Sequence, residues 1–155
     1  MKEILLTQGK VALVDDEDYE YLNQWKWCAI KGRKTYYAVR RAYINSKYKF
    51  YYMHRIIMNT PNKLQTDHID GNGLNCQKFN MRNCTHAQNQ MNRRSGGSSK
   101  YLGVFLHRKN YFTAIISINK KAVYLGHSKD EKKAALMYNE AAIKYHGEFA
   151  RLNVI

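Results

Sequence analysis

The amino-acid sequence predicts an α+β protein made of small antiparallel sheets and a few helices. Residues 1–52 contain short runs rich in β-branched and aromatic side chains, which are typical of strands. Residues 111–118 alternate between apolar and polar positions, as a half-buried strand does. The apolar positions are Phe112, Ala114, Ile116 and Ile118. A helical pattern follows, with an apolar stripe formed by Ala134, Tyr138, Ala141 and Tyr145.

The N-terminal region, residues 1–52, is expected to be β-rich. Strands are predicted at residues 4–7, 10–14, 36–40 and 48–52, with turns at Gly9 and residues 30–34. A short acidic helix is predicted over residues 16–27, with Tyr19, Leu22 and either Trp25 or Lys26 towards the core. The pattern assigns no chemistry to this region. Its basic residues are either a solvated face or an extension of a DNA-facing surface: Arg33, Lys34, Arg40 and Arg41.

The central region, residues 53–94, predicts a short helix at 53–58, a strand at 64–69 and a turn at 70–73. Residues 80–82 are expected to lead into a polar helix that continues to residue 92. Residues 95–99 form a linker rich in glycine and serine.

The C-terminal region, residues 100–155, predicts a three-stranded antiparallel sheet packed on one helix. Its strands are expected at residues 101–106, 111–118 and 121–126, with a tight turn at residues 119–120. Ser128 and Glu131 have the spacing of a capping box, and Gly147 is placed to end the helix.

The distribution of charge points to a polyanionic partner. The net charge is +14, and between Tyr21 and Lys129 there are twenty Lys and Arg residues but only two acids, Asp67 and Asp70. A surface without carboxylates suits contact with phosphates. The two aspartates either hold a metal ion that meets a phosphate or cap a turn, and the charge pattern alone leaves both interpretations open.

Other classes of protein fit the composition poorly. No apolar run approaches the roughly 20 residues of a bilayer-spanning helix, so no membrane partner is expected. The three cysteines lack a C-x-x-C pair, which disfavours a structural zinc site. A soluble protein of a reducing, intracellular compartment is expected.

Residues 66–74, with the sequence TDHIDGNGL, are followed by Asn80-Met81-Arg82 and by Asn89. This block, with MHRII at residues 53–57, resembles the HNH endonuclease motif, and more narrowly the phage and intron-encoded HNH homing endonucleases. The resemblance implies two short strands and a helix around one metal ion, the ββα-metal centre. Asn89 stands where many relatives have histidine, which resembles an H-N-N variant.

The resemblance implies a role for each matching residue. His68 is the expected general base that activates water. Asn80 is expected to hydrogen-bond the backbone or the imidazole and so to hold His68 in its working tautomer and orientation. Asp67 and Asn89 are the expected ligands of one Mg²⁺ or Mn²⁺ ion per active site, since both offer oxygen donors. His86 is expected to contact a phosphate or to be a bystander.

The C-terminal region resembles the AP2/ERF DNA-binding domain. The similarity rests on YLGV at residues 101–104, YLG at 124–126, AA at 134–135, YNEAA at 138–142 and ARLN at 150–153. The resemblance implies that the exposed sheet face reads double-stranded DNA. Together with basic residues elsewhere, the expected DNA contacts are Arg82, Arg93, Arg94, Phe105, His107, Arg108, Lys109, Ser117, Lys120, Lys121 and Tyr124.

The combined expectation is a monomeric, metal-dependent HNH endonuclease that nicks one DNA strand. Hydrolysis should leave 5′-phosphate and 3′-hydroxyl ends. The family resemblance places it in the cytoplasm of a bacterium or a phage-infected cell. The alternative is a DNA-binding regulator that carries an inactive nuclease remnant.

Overall fold

The computed structural model describes residues 1–92, 98–107 and 110–155, and the chain divides into two compact units, Met1–His86 and Ala87–Ile155. Both units combine helices with small antiparallel sheets, so the predicted α+β class is confirmed. Four expected DNA contacts lie outside the described residues: Arg93, Arg94, Arg108 and Lys109. Part of the predicted linker, residues 95–97, also lies outside them. The domain boundaries expected at residues 52 and 94 stay predictions.

Three small antiparallel sheets form the first unit. The strands pair as β1-β2, β3-β4-β5 and β6-β7. The elements of this unit are β1 (Lys2–Leu5), β2 (Val11–Val14), α1 (Asp16–Leu22), β3 (Cys28–Lys31), β4 (Tyr36–Ile44), β5 (Lys47–Tyr52), α2 (Met53–Ile57), β6 (Gln65–His68) and β7 (Met81–Cys84). A further helix, α3 (His86–Met91), begins at the last residue of the unit.

One hydrophobic core serves the whole first unit. Trp27 and Leu22 are buried at its centre, and the Trp27 indole Nε1 donates a hydrogen bond of 2.8 Å to the Leu22 carbonyl. Met53, Cys76 and Met81 join the same core from later in the chain. Burial of apolar surface therefore ties the N-terminal sheets to the segment that contains the HNH-like motif.

The acidic helix is shorter than predicted. Helix α1 ends at Leu22 rather than Trp27, and Cys28–Lys31 forms β3 where a turn was expected to begin at residue 30. Trp25 and Trp27 both pack against the core, whereas Lys26 is exposed. Residues two apart share a face in an extended chain but not in a helix, which explains why the helix stops.

A second difference concerns residues 80–84. They were expected to lead into a helix, but Met81–Cys84 is strand β7, which pairs antiparallel with β6. The register places Asp67 opposite Arg82 and His68 opposite Met81. The burial of Met81 and Cys84 and this pairing override the polar character of the segment.

The second unit contains one three-stranded antiparallel sheet and a long helix. Its elements are β8 (Val104–His107), β9 (Tyr111–Ile118), β10 (Lys121–Ser128) and α4 (Glu131–His146), with strand order β10-β9-β8. Ala114 and Ile116 of β9 are buried in the clusters that contain Ala134 and Tyr138 of α4. Asn119 and Lys120, both with positive φ, form the predicted tight turn.

Two details of α4 differ from the prediction. The N-cap is Asp130, whose side chain accepts a hydrogen bond from the Lys132 amide at 2.9 Å, so Ser128 does not start a capping box. Tyr145 is 46% exposed, and the inner position of the last turn belongs to His146. His146 Nε2 donates to the Ser117 carbonyl at 3.0 Å, which satisfies a polar group that replaces the expected apolar one.

The described residues contain no helix long and apolar enough to cross a membrane.

Candidate active site

Four polar side chains lie buried at the end of β6 and beside it. Asp67, His68 and Asn80 are at most 6% exposed, and His54 at the start of α2 is 8% exposed. Burying a polar group costs free energy unless it finds partners, so a cluster of this kind is typical of a functional site. Strand β6 positions Asp67 and His68, and Asn80 directly precedes β7.

Asn80 holds the turn that follows His68. Its Oδ1 accepts a hydrogen bond from the Asp70 amide at 3.1 Å, and its Nδ2 donates to Asp70 Oδ1 at 3.0 Å and to the Asn75 carbonyl at 2.9 Å. The Asn80 carbonyl accepts from the Ile69 amide at 2.8 Å. These contacts are made with the backbone and the turn next to His68. The sequence left open whether Asn80 bonds the backbone or the imidazole of His68, and these contacts include bonds to the backbone.

Asp70 organises the same turn. Its carboxylate accepts hydrogen bonds from the Asn72 amide at 2.7 Å and the Asn75 side chain at 3.1 Å. Burial alone would raise the pKa of Asp70, but these hydrogen bonds and that of Asn80 hold the pKa below its usual value. Asp70 is therefore charged at neutral pH and has the turn-capping role that the charge pattern left open.

The glycine-rich turn docks closely on β4. A Cβ atom at Gly73 would lie 2.5 Å from the Tyr36 carbonyl oxygen and 2.6 Å from the Tyr37 ring. The Gly73 amide also donates to Thr35 Oγ1 at 2.9 Å. Only glycine allows this approach, so the glycine fixes the turn against the start of β4.

His68 stands in a cluster of aromatic rings. The His54 ring lies edge-on to His68 with 5.1 Å between ring centroids, and the Tyr37 ring lies 5.5 Å from His54 and 6.1 Å from His68. Burial lowers the pKa of His68, against the opposing effect of Asp70 and Asp67. The imidazole is therefore neutral near pH 7, which is the form that can accept a proton.

His54 was part of the sequence block that resembles HNH enzymes, but the sequence assigned it no role. Burial lowers the pKa of His54 to about 3, and the neighbouring His68 and Arg55 act in the same direction. A neutral ring packed against His68 limits the orientations open to that imidazole. Arg55 has a different task, since its guanidinium donates to the carbonyls of Leu64, Thr60 and Pro61.

The carboxylate of Asp67 is engaged by a cation. Arg82 donates to Asp67 Oδ2 through Nε at 3.0 Å and through a terminal nitrogen at 2.8 Å. The two side chains are only 6% and 14% exposed. Arg82 was expected to contact DNA, and here it forms a nearly buried ion pair with the expected metal ligand.

The N-terminal acidic segment supports the turn from the other side. The Asp15 carboxylate accepts from the Lys78 amide at 2.8 Å, and the Lys78 ammonium group pairs with Glu17 and Asp18. Residue 78 is two positions before Asn80. No function could be predicted for these acids, because a contact between residues about sixty positions apart leaves no local pattern.

The other expected site residues are placed as follows. Asn89 lies in α3 and belongs to the second unit. The strand register puts four expected DNA contacts on the sheet face opposite α4, namely Phe105, His107, Ser117 and Tyr124. Lys120 lies in the β9–β10 turn, and Lys121 pairs with Ile118 at the end of the sheet. Within residues 1–92, 98–107 and 110–155, no three His, Cys, Asp or Glu side chains are grouped to hold a metal ion.

The chain is similar to a viral protein. It is 29% identical over 149 residues to a protein of Acanthamoeba polyphaga mimivirus named an uncharacterized HNH endonuclease, and the alignment covers 96% of this chain and 77% of that protein. No family model matches the chain. The similarity spans both units and supports a nuclease related to the HNH class.

Proposed function

We propose that the protein is an HNH-type endonuclease that hydrolyses one strand of double-stranded DNA with the help of a divalent metal ion. The observation that carries the proposal is the buried Asp67-His68 pair at the end of β6, braced through Asn80 and the Asp70 turn. The named function of the viral relative points to the same chemistry. The homing type and the H-N-N subgroup rest on the sequence resemblance.

His68 is the proposed general base. Its neutral imidazole accepts a proton from the attacking water, and such proton transfer typically contributes about 10²- to 10⁴-fold to a rate. The ring contact with His54 and the Asn80-bound turn hold His68 in position. His54 and Asn80 are therefore positioning residues rather than catalytic ones.

The donor chemistry fits a hard divalent cation such as Mg²⁺ or Mn²⁺. Asp67 offers a carboxylate that already binds a cationic group, the Arg82 guanidinium, at 2.8 Å. Asp67 would hold one ion through its oxygen atoms, the ligands that Mg²⁺ prefers, and Asn89 is proposed as a further oxygen ligand on the sequence resemblance alone. When bound, the ion supplies charge neutralisation at the phosphate and at the leaving 3′ oxygen. The Arg82 guanidinium on Asp67 Oδ2 would compete with such an ion for the negative charge of the carboxylate.

The sheet of the second unit is the proposed DNA-binding module of AP2 type. Phe105 and Tyr124 are 42% and 60% exposed on the face opposite α4, beside His107 and Ser117. A β-sheet face of this kind can enter the major groove. The basic residues at its edge, among them Lys120 and Lys121, are suited to phosphate contacts.

A supercoiled-plasmid assay tests the proposal. Wild type, His68→Ala and the matched control His86→Ala are incubated with plasmids carrying DNA from the source genome, with Mg²⁺, with Mn²⁺ and with EDTA. Wild type and His86→Ala should produce open circles with metal only, because His86 is exposed and bonds only Gln65 among the contacts described. His68→Ala should leave the plasmid supercoiled. The nicked ends should carry 5′-phosphate and 3′-hydroxyl groups.

One observation favours a second candidate, a DNA-binding regulator without nuclease activity. The Asp67–Arg82 ion pair satisfies the carboxylate without a metal ion. This candidate is preferred if wild type never cuts but shifts DNA on a gel. The endonuclease proposal is contradicted by that result, and also by equal cutting with His68→Ala.

A further inference from the structure

The hairpin of β4 and β5 projects beyond its sheet. Strand β3 pairs with β4 from Tyr36 to Val39, and from Arg40 to Ile44 the strand that pairs with β4 in the described part of the chain is β5. Asn45 and Ser46, with φ of 49° and 59°, close a two-residue turn. The outer half of the hairpin is therefore a two-stranded ribbon, and the face that contains Arg41, Tyr43, Tyr48 and Phe50 is exposed.

One face of this ribbon is aromatic. The register places Arg41 opposite Phe50 and Tyr43 opposite Tyr48, with Tyr52 on the same side at the base. Tyr43, Tyr48, Phe50 and Tyr52 are 65%, 60%, 55% and 39% exposed. We call Arg41, Tyr43, Tyr48, Phe50 and Tyr52 the aromatic face. A contiguous patch of exposed rings on a protein surface is typical of a binding site.

The charge of the hairpin defines the partner. Arg41 lies on the aromatic face, Lys47 and Lys49 lie on the opposite face of the hairpin, and no acidic residue occurs between Tyr21 and Thr66. The Arg41 guanidinium lies 4.3 Å from the Tyr48 ring centroid, within the aromatic face itself. A nucleic-acid strand combines phosphates with planar bases, so it matches both the cations and the rings.

The aromatic face leads to the candidate active site. The Tyr52 ring lies 5.5 Å from the His54 ring, which in turn contacts the His68 ring at 5.1 Å. All of these residues belong to the first unit. A strand whose scissile phosphate meets His68 would therefore continue along the hairpin.

We propose that the aromatic face binds the DNA strand beside the cut, with its rings stacking on unpaired bases and with Arg41, the cation on that face, contacting a phosphate. The inference rests on the proposed function and adds a substrate-binding surface to it. Stacking requires bases that have left the duplex, so the hairpin is expected to prefer single-stranded over intact double-stranded DNA.

Fluorescence anisotropy in EDTA tests binding apart from cleavage. The probes are a labelled 20-nucleotide single strand and its blunt duplex. The aromatic variant is Tyr43→Ala/Tyr48→Ala/Phe50→Ala, and its control is Tyr21→Ala, an equally exposed ring on the acidic helix α1. The charge variant is Arg41→Ala, and its control is Lys132→Ala on α4, which removes the same charge.

The two variants should fail in different ways. The aromatic variant should lose single-strand affinity by about ten-fold or more, with an unchanged slope of log K against log salt. The charge variant should reduce that slope by about 0.7, because one lost phosphate contact removes about 0.7 on a single strand. Both controls should bind like wild type, and thermal unfolding of all variants should match, since the replaced side chains are exposed.

Several outcomes would overturn the inference while leaving the nuclease intact. One is that the aromatic variant binds the single strand as tightly as Tyr21→Ala does, and another is that it loses affinity for the duplex alone. A third is that wild type binds the matching RNA strand more tightly than the DNA strand. The fourth is that light scattering shows a wild-type dimer and that the aromatic variant is a monomer. If wild type binds neither probe and also fails to bind a longer duplex, the proposed function itself fails.

Discussion

Replacing Arg82 with alanine should destabilise the first unit, because it leaves the buried Asp67 carboxylate without its counter-charge. Asp67 is 6% exposed, and its Oδ2 accepts hydrogen bonds from Nε and from a terminal nitrogen of Arg82. Removing one partner of a buried pair costs 3–5 kcal/mol, and the 14% exposure of Arg82 favours the lower end, about 3 kcal/mol. The free energy of unfolding of a domain is only about 5–15 kcal/mol in total, so a loss of this size is easily measured.

Urea unfolding followed by tryptophan fluorescence measures the effect in the right unit, since Trp25 and Trp27 are the two tryptophans of the chain. Lys2→Ala is the matched control, because it breaks an exposed ion pair with Glu20 and should change the stability little.

The same variant tests the proposed metal ligand. In Arg82→Ala the guanidinium no longer competes with Mg²⁺ for the Asp67 carboxylate, and an ion at about 100 times its Kd adds about 2.7 kcal/mol of stability. Wild type should gain less, because the guanidinium already neutralises part of the carboxylate charge. The reasoning is refuted if Mg²⁺ stabilises Arg82→Ala no more than wild type, or if Asp67→Asn/Arg82→Ala gains as much as Arg82→Ala.

Three further predictions concern stability and turn geometry. His54, with a pKa of about 3 when folded and about 6.5 when unfolded, contributes stability that is complete above pH 6.5 and is lost as pH falls. Lowering the pH from 7 to 5 should therefore reduce the free energy of unfolding of wild type by about 2 kcal/mol more than that of His54→Phe, as measured by urea unfolding. Gly73→Ala should slow DNA nicking at unchanged DNA affinity in single-turnover assays, because the methyl group would push the Asp70 turn away from Tyr37. Gly103→Ala should lower the melting temperature of the second unit in calorimetry, since Gly103 has φ of 72° and its Cβ would overlap the Tyr138 ring, whereas Gly9→Ala adds no such contact.

The sequence predicted the second unit better than the first. The alternation of β9 and the periodicity of α4 are local signals, and each is reinforced by burial on a single partner. The sequence predicted Tyr145 on the inner stripe of α4, where the structure has His146. Both side chains are amphipathic, and the Ser117 carbonyl that His146 binds decides which one lies inside.

The parts that the sequence did not reveal depend on contacts distant along the chain. The family resemblance implied two strands and a helix in this segment, but the local pattern did not show strand β7, which forms because Met81–Cys84 pairs with β6. The role of Asp15 exists because the Lys78 amide reaches its carboxylate. Periodicity cannot detect either contact. His54 was visible in the motif, but its meaning depends on the ring of His68 beside it.

For the active site, the motif identified Asp67, His68 and Asn80, and the structure brings these three together at the β6–β7 pair. The pairing of Arg82 with Asp67 was not predicted, because nothing in a basic sequence distinguishes an arginine that meets a carboxylate from one that meets a phosphate. Asn89 as a metal ligand stays a prediction.

The most direct test of the central claim is the single-turnover rate of strand cleavage by His68→Ala and wild type, measured in Mg²⁺ at protein concentrations that saturate the DNA. Loss of a general base predicts a rate lower by about 10²-fold or more at an unchanged Kd for DNA. Equal rates at equal DNA occupancy would contradict the assignment of His68 and, with it, the proposed reaction centre.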